Sequence, residues 1–277
     1  MPELPEVETM RRGILGTAGA VVDDVLFHRT RYRPIQVSPS QATFRRRVLG
    51  KEIASIDRLG KRVLLRMHSD LTVVLEPRMT GLVLVADPPN LHHLRLTLSL
   101  TNCSHAELRF WDRRGLGSVH ALTKKEMTER WGPHKLGPDA LAITPEQLRD
   151  RLKTSKRAVK VALLDQRAVA GIGNLYASEI LHTASVHPAQ RCDLISKKKW
   201  SAIHEATVEV LTTAIRYEGS TLSDGTYRNA LNQDGGYQNQ HRVYDRAEQP
   251  CGQCGRQIRR IVQGQRSTFY CPNCQKR

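Results

Sequence analysis

The sequence contains no long apolar run, no leader-like segment and no internal repeat beyond a paired cysteine motif. Among its 277 residues, no stretch of about 18 apolar side chains occurs, so we expect no membrane span and no membrane partner. The chain starts with acidic residues and prolines instead of a basic segment followed by an apolar one, which predicts no signal peptide. We therefore expect an intracellular, cytoplasmic protein of two domains and a small appendage.

Acidic residues are too few to balance the basic ones. The chain has 43 Lys and Arg against 27 Asp and Glu, which gives a net charge of +16 and a pI of about 10.0. Basic residues cluster at Arg45–Arg47, Lys197–Lys199 and Arg256–Arg260. A polyanion is the usual partner of such a chain, and its binding should weaken steeply with salt. The alternative is a charged surface that only keeps the protein in solution.

Cysteine is scarce, and in an intracellular chain its thiols should stay reduced rather than form disulfides. Of the 6 cysteines, Cys103 and Cys192 stand alone, as buried small residues or surface thiols. The other four follow the spacing C-x2-C-x16-C-x2-C, which is typical of two zinc knuckles on a short hairpin. Four thiolates fill the coordination shell, so the single Zn²⁺ should be structural. The predicted ligands are Cys251, Cys254, Cys271 and Cys274.

The first half of the chain predicts one helix followed by strands. A helix is expected from after Pro5 to about Leu15, because apolar residues recur there at helical spacing. Short strands then continue to about residue 121, which predicts an antiparallel sandwich or barrel. The strict alternation within Leu94–Leu98 predicts a strand that is buried on one face only.

The second half changes to a helical period. The segment Gly132–Pro138 predicts a linker, and Thr144 then predicts a helix start with a capping box. Further helices are expected near 156–165, 174–184 and 196–217, the last with Ser196 as its N-cap. The fold class is therefore α+β and multidomain.

The amine of Pro2 is a candidate nucleophile. Removal of Met1 would expose a secondary amine, and a chain-terminal amine is less basic than a lysine side chain, with a pKa near 8 against about 10.4. An unprotonated amine can attack an electrophilic carbon and form an imine. Glu3 lies beside it and could protonate a sugar ring oxygen as a general acid. The alternative is an ordinary helix start, a proline followed by acids.

A glycine-rich turn precedes the predicted helix at Asn174. In Ala170–Tyr176, the glycines would let backbone N–H groups approach a phosphate, and Asn174 could cap the helix. No strand precedes the turn, which excludes a dinucleotide-binding motif. A simple turn between two helices is the alternative.

Together these features resemble the bacterial formamidopyrimidine-DNA glycosylases of the wider Fpg/Nei family. The resemblance covers the whole chain and is most specific in MPELPEVET at the start, AGIGNLYASE at 170–179, QRSTFYC at 265–271 and the cysteine quartet. It implies a helix and β-sandwich over residues 2–131, a linker at 132–143, a helix-two-turn-helix domain with a lesion-capping loop at 144–240, and a zinc finger at 241–277.

The resemblance also implies an activity. The chain would be a DNA glycosylase and AP lyase that excises oxidised purines such as 8-oxoguanine and formamidopyrimidine from damaged double-stranded DNA. Pro2 would attack the deoxyribose C1′ with Glu3 as the acid, and β,δ-elimination would nick the strand. We expect a monomer associated with the bacterial nucleoid. The alternatives are an endonuclease VIII-like preference for oxidised pyrimidines, a non-catalytic lesion-binding protein and a basic zinc-ribbon protein of nucleoprotein assembly.

Further site residues follow from the resemblance alone. Lys61 matches the lysine of proton transfer in β-elimination, and Arg266 matches the finger arginine of phosphate binding and δ-elimination. Three more positions match phosphate contacts: Lys156, Lys160 and Asn174.

The family fills the gap left by the flipped base with three side chains, matched here by Met79, Arg114 and Leu116. Of these, Leu116 replaces an aromatic residue. The chain also departs from the family at Glu76-Pro77 and at Gly115, where a second basic residue is usual. His92 and His93 are shifted candidates for a phosphate contact.

Overall fold

The computed structural model describes residues 2–277. Met1, whose removal the predicted chemistry requires, lies outside the described residues. The chain forms two compact units: the part up to Gly132 together with Tyr217–Gln238, and Pro133–Arg216 together with Asn239–Arg277. Within the described part of the chain, none of the helices is long and apolar enough to cross a bilayer.

The first unit is a β-sandwich with three helices. The helices are α1 (Leu4–Gly13), α2 (Gln41–Val48) and α3 (Lys124–Trp131). The strands are β1 (Val21–Phe27), β2 (Gln36–Ser38), β3 (Ile53–Leu59), β4 (Arg62–Met67), β5 (Leu71–Glu76), β6 (Gly81–Leu84), β7 (Leu94–Thr101), β8 (Glu107–Asp112) and β9 (Ser118–Thr123).

Two sheets enclose one apolar core. One has the strand order β1-β7-β8-β6 and the other β2-β9-β5-β4-β3. Core side chains come from both, such as Val22 and Leu96 from the first sheet and Leu65 and Val73 from the second. All pairings are antiparallel except that of β2 with β9. The predicted sandwich is therefore confirmed, with one parallel edge strand.

Strand β7 differs from the sequence prediction because both of its faces are buried. Arg95 and Thr97, predicted to face solvent, are 2% and 5% exposed. The Arg95 Nε donates to the Asp112 carbonyl at 2.9 Å, and Thr97 Oγ1 hydrogen-bonds His28 Nε2 at 2.9 Å, whereas the two terminal nitrogens of Arg95 are buried without a partner among the described residues. Alternation of polar and apolar residues thus does not predict solvent exposure when other parts of the same unit cover the second face of the strand.

Hydrogen bonds of glutamates near the start of α1 hold this helix in place. Glu3 is its N-cap, and the Glu3 N–H donates to Glu6 Oε2 at 2.9 Å, so the two residues form a capping box. Further along, Glu8 accepts hydrogen bonds from Arg11 and Arg12 of its own helix and from Arg58 of β3. Burial raises the pKa of Glu8, but these bonds outweigh it and bring the pKa to about 2. The carboxylate therefore ties α1 to the sheet.

The segment 217–238 belongs to the first unit, whereas the predicted boundary placed it in the helical domain. The Ser220 N–H donates to Glu6 Oε1 at 2.9 Å, and Tyr227 is buried with its hydroxyl on the Glu218 carbonyl. Ala230 packs closely against Gly13 of α1: a Cβ added at Gly13 would lie 2.5 Å from the Ala230 Cβ. A buried carboxylate and an apolar contact on α1 set this boundary, and neither leaves a local sequence signal.

The second unit contains helices and the C-terminal hairpin. Its elements are α4 (Pro145–Leu152), α5 (Val159–Leu163), α6 (Asn174–Thr183), α7 (Lys197–Arg216), β10 (Arg259–Gln263) and β11 (Arg266–Tyr270). The predicted caps of α4 and α7 are present, since Thr144 accepts from the Gln147 N–H and Ser196 from the Lys199 N–H. The hairpin and its flanks have only a small core of Val243, Ile258, Phe269 and two buried cysteines.

Candidate active site and nucleic-acid contacts

Pro2 and Glu3 lie buried at the start of α1. Pro2 is buried and Glu3 is 3% exposed. The capping box fixes the Glu3 backbone, because its N–H is bound by the Glu6 carboxylate. Glu6 is itself 2% exposed and accepts the Ser220 N–H with its second oxygen. In the sequence, the capping-box spacing from Glu3 is the one signal for this role of Glu6, and it does not reveal the contact with Ser220.

Lys61 lies in a two-residue turn between β3 and β4. Gly60 has φ +57, the left-handed conformation that such a tight hairpin needs, and Leu59 pairs with Arg62 across the turn. The Lys61 side chain is half-buried. Helix α1 packs against β3, β4 and β6, so the helix that begins at Glu3 rests on the strands that Lys61 joins.

The three candidate gap-filling residues come from two adjoining loops. Met79 is 36% exposed in the turn between β5 and β6, while Arg114 is exposed and Leu116 half-buried in the loop between β8 and β9. Asp112, fully buried, joins the loops, since its carboxylate accepts from Thr80 Oγ1 and from the backbone N–H of Arg114 at 3.2 Å. The structure thus brings the predicted residues together through an aspartate that sequence analysis did not single out.

The structure gives a physical reason for Gly115. Its φ is +61, and a Cβ at this position would lie 2.0 Å from the backbone carbonyl oxygen of Arg33. The segment before β2 runs beside this loop, because β2 pairs in parallel with β9 and the Gln36 N–H donates to the Gly117 carbonyl. The side chain that is usual at this position would collide with that segment.

His92 and His93 are placed differently. His92 is exposed. The ring of His93 packs between Tyr32, at 4.6 Å between centroids, and Trp111, at 5.5 Å. Burial, followed by the nearby side chains of Arg95 and His92, lowers the pKa of His93. Of the two, His92 is therefore the exposed side chain, and His93 is held by ring contacts.

In the second unit, Lys160 and Asn174 form one polar cluster with the finger hairpin. Lys160 is fully buried and its Nζ donates to Asn174 Oδ1, while Asn174 Nδ2 donates to the Ser267 carbonyl at 3.0 Å. Asn174 is the first residue of α6 and Gly173 is its N-cap, so the predicted capping role of Asn174 is wrong. The amide instead links α5, α6 and β11.

The remaining phosphate candidates of this unit are exposed. Arg266 begins β11, next to Ser267 and directly after the hairpin turn at Gly264-Gln265. Lys156 lies exposed in the loop before α5. The cluster of Lys160 and Asn174 therefore fixes the strand that carries Arg266, whereas Lys156 lies apart from that hydrogen-bonded cluster.

The four predicted zinc ligands converge. Their sulfur atoms all lie within 4.8 Å of one another, with 3.9 Å between Cys251 and Cys274 and 3.5 Å between Cys254 and Cys271. Tetrahedral Zn²⁺ with Zn–S bonds of about 2.3 Å requires sulfurs about 3.8 Å apart. Hydrogen bonds from the Arg256 backbone and the Asn273 side chain lower the pKa of Cys254 to about 6, whereas burial raises the pKa of Cys271 and Cys274. The donor set fits one structural Zn²⁺.

Glu179 is a buried carboxylate that sequence analysis passed over. It is fully buried in α6 and accepts three backbone N–H groups, from Arg242 at 2.9 Å, Val243 at 3.0 Å and Tyr244 at 2.7 Å. Burial raises its pKa, and the three bonds oppose that rise. Glu179 thereby fixes the chain that leads into the finger. An acid inside an apolar helix was the available signal.

The basic clusters are not equivalent. Arg45 is ion-paired with Asp24, and Arg47 with Glu126 at 2.9 Å. Two of the three arginines of α2 therefore serve the fold, which weakens the prediction that this cluster meets a polyanion. In Lys197–Lys199 the first two lysines are exposed at the start of α7.

Comparison with known families accounts for most of the chain. The formamidopyrimidine-DNA glycosylase N-terminal domain matches residues 1–119, the H2TH domain of the same enzymes matches 136–226, and a zinc finger found in FPG and IleRS matches 248–277. The chain belongs to the formamidopyrimidine-DNA glycosylase family. The predicted family, its fold class and the class of activity, a DNA glycosylase of base-excision repair, are confirmed.

Full-length relatives agree. The formamidopyrimidine-DNA glycosylase of Chloroflexus aurantiacus is 36% identical to this chain, and the alignment covers 99% of this chain and 98% of the relative. That of Desulforamulus reducens is 36% identical, with 100% of this chain and 99% of the relative covered.

Solved structures agree as well. MutM (FPG) of Thermus thermophilus matches with a TM-score of 0.86 and 33% identity, covering 99% of this chain and 98% of that one. Lactococcus lactis FPG in complex with Fapy-dG DNA matches with a TM-score of 0.85 and 28% identity, covering 99% of this chain and 100% of that one. MutM in complex with carbocyclic 8-oxo-G DNA matches with a TM-score of 0.86 and 28% identity, and the match covers 100% of both chains.

Proposed function

We propose that the chain excises oxidised purines from damaged duplex DNA and then cleaves the abasic strand, using the amine of Pro2 as the nucleophile. The observation that carries the proposal is the buried pair Pro2 and Glu3 at the fixed start of α1. The complexes of related proteins with Fapy-dG and 8-oxo-G DNA support the choice of lesion.

The residues divide the reaction into steps. The Pro2 nitrogen attacks C1′, and the C1′–base bond breaks with its electron pair leaving on the base, which is neutralised by the proton that the Pro2 nitrogen loses. The electron pair of that nitrogen then expels the ring oxygen, which Glu3 protonates, and the Pro2 iminium forms at C1′. Lys61 assists loss of a C2′ proton, which expels the 3′ phosphate. Arg266 binds phosphate in the second elimination.

Contacts with DNA are distributed over both units in this proposal. Met79, Arg114 and Leu116 fill the gap left by the flipped nucleotide, and His92 contacts a phosphate. In the second unit, Asn174 and the two lysines Lys156 and Lys160 serve phosphates, Lys160 mainly by fixing Asn174. We further propose that the protein acts as a monomer in the cytoplasm of a bacterium, close to the nucleoid.

Borohydride trapping tests the proposal. The purified chain is mixed with duplexes that carry one 8-oxoguanine, one oxidised pyrimidine or one abasic site, and the imine is reduced to a stable adduct. We expect an adduct with abasic and 8-oxoguanine DNA. An adduct formed more readily with the oxidised pyrimidine would favour endonuclease VIII-like specificity. The absence of any adduct would leave the two non-catalytic alternatives, a lesion-binding protein and a basic zinc-ribbon protein of nucleoprotein assembly.

A further inference from the structure

A buried charge cluster lies at one end of the five-stranded sheet, next to three candidate loops. Glu76 ends β5 and is 6% exposed. Its Oε1 accepts from Arg62 Nη2 of β4 at 2.7 Å, and its Oε2 accepts from Ser118 Oγ of β9 at 3.0 Å. Each member is a near neighbour in the chain of a proposed site residue, since Arg62 follows Lys61 and Ser118 follows the loop of Leu116.

Arg62 is fixed inside the cluster. Its side chain is 14% exposed, and its guanidinium stacks on the Trp131 ring of α3 at 4.7 Å. His120 hydrogen-bonds Ser118 and packs edge-on against the same Trp131 ring. Burial, followed by the nearby Arg130, lowers the pKa of His120 to about 4, so the ring is neutral at neutral pH. Neither side chain is placed to reach outward.

Arg78 is the outward-facing member. Its Nε lies 3.3 Å from Glu76 Oε1, and its side chain is 56% exposed. Because the ion pair uses Nε, the two terminal nitrogens are left for a second partner. Arg78 also has φ +55, a strained conformation for a residue with a side chain. Arg78, directly before Met79, therefore has a left-handed backbone conformation, and its guanidinium is held through Nε by the Glu76 carboxylate.

The local charge fits an anion. Two guanidinium groups, those of Arg62 and Arg78, contact the Glu76 carboxylate, and that of Arg130 lies over the Trp131 ring at 5.2 Å. A carboxylate that binds two arginines leaves the cluster with excess positive charge, presented through Arg78. The planar fork of arginine suits phosphate oxygens.

We propose that Arg78 binds a DNA phosphate beside Met79 and that Glu76 is its positioning residue. The inference rests on the proposed function, which puts Met79 in the DNA. It also gives a role to Glu76, where the chain departs from its family. The buried carboxylate does not contact DNA; it aims a guanidinium that does.

Salt-dependent binding provides the test. Affinity for a duplex with one tetrahydrofuran abasic analogue is measured over a series of salt concentrations for the wild type, Arg78→Ala and Arg78→Lys. Each phosphate contact contributes about 0.9 to the slope of log K against log salt. We expect Arg78→Ala to bind about tenfold more weakly and to lose about one unit of slope, and Arg78→Lys to keep the slope. An unchanged slope in Arg78→Ala would overturn the proposal.

Glu76→Gln separates positioning from simple charge. Removal of a negative charge alone should tighten DNA binding, whereas loss of positioning should weaken it about threefold. We expect weaker binding, and no further weakening when Glu76→Gln is added to Arg78→Ala. Tighter binding by Glu76→Gln would contradict the positioning role.

Two controls keep the outcomes distinct. Lys51→Ala removes an exposed cation at the opposite end of β3 from Lys61, roughly 20 Å away along the strand; it should not change affinity or slope. Borohydride trapping of the wild type at saturating protein and low salt tests the proposed function separately. Absence of the wild-type adduct counts against that function, whereas a wild-type adduct with an unaltered Arg78→Ala slope counts against this inference alone.

Discussion

The two compact units hold their candidate residues by different means. In the first, Glu3, Lys61 and Met79 stand at the ends of elements that rest on a core shared by two sheets. In the second, Asn174 and Arg266 depend on side-chain hydrogen bonds and on a hairpin with a small core. The residues proposed for bond chemistry, Glu3 and Lys61, thus stand on an apolar scaffold, whereas Asn174 and Arg266 stand on polar links and on the predicted zinc site. Damage to either support should have separable effects.

The largest expected effect is on chemistry in the first unit. Glu3→Gln removes the proposed acid, and base excision should fall by about 10³-fold while DNA binding is largely kept. Single-turnover excision of 8-oxoguanine measures this. Glu146→Gln, which alters an exposed glutamate at the start of α4, is the control. Native-rate excision by Glu3→Gln would disprove the acid assignment.

Loss of a polar link in the second unit should cost stability instead. Glu179→Ala leaves three backbone N–H groups without their acceptor, and we expect the free energy of unfolding of that unit to fall by about 3 kcal/mol. Urea unfolding followed by hydrogen exchange measures it unit by unit. The exposed Glu205 of α7 offers the matched Glu205→Ala variant. Equal destabilisation of both variants would mean that the buried carboxylate has no special role.

Removal of the metal should sharpen the contrast. Cys271→Ser breaks the ligand set, so the hairpin that carries Arg266 should lose its fold and DNA binding should weaken about a hundredfold. Amide protection in the β-sandwich should persist. Cys103→Ser, in the first unit, is the control, and zinc content is measured for each protein. Loss of sandwich protection in Cys271→Ser would show that the two supports are not independent.

The smallest expected effect is a pH dependence of the first unit. His120 has a pKa near 4 in the fold, through burial first, against 6.5 when unfolded, so the unfolded chain binds more protons between these values. Stability is therefore present above pH 6.5 and is lost as the pH falls toward 4. We expect protonation linked to His120 to lower the free energy of unfolding by about 2 kcal/mol when the pH falls from 7 to 5. Urea unfolding of wild type and His120→Asn checks it, since the variant should lose that part of the pH dependence.

The sequence was sufficient where the signal is local. Spacing alone predicted the cysteine cluster, and capping patterns predicted the starts of α4 and α7. It failed where a residue acts across the fold: Asn174 binds β11 instead of capping its helix, and the segment 217–238 joins the first unit through Glu6. Buried carboxylates such as Asp112 and Glu179 serve backbone N–H groups distant in sequence, and no periodicity reveals such partners.

The central claim is that the Pro2 nitrogen becomes bonded to deoxyribose. The most direct measurement is proteolysis and mass mapping of the borohydride-reduced adduct with abasic DNA. Our account predicts that the sugar is attached to a peptide that starts at Pro2. An adduct on Lys61 or another lysine, or on a chain that still carries Met1, would contradict it.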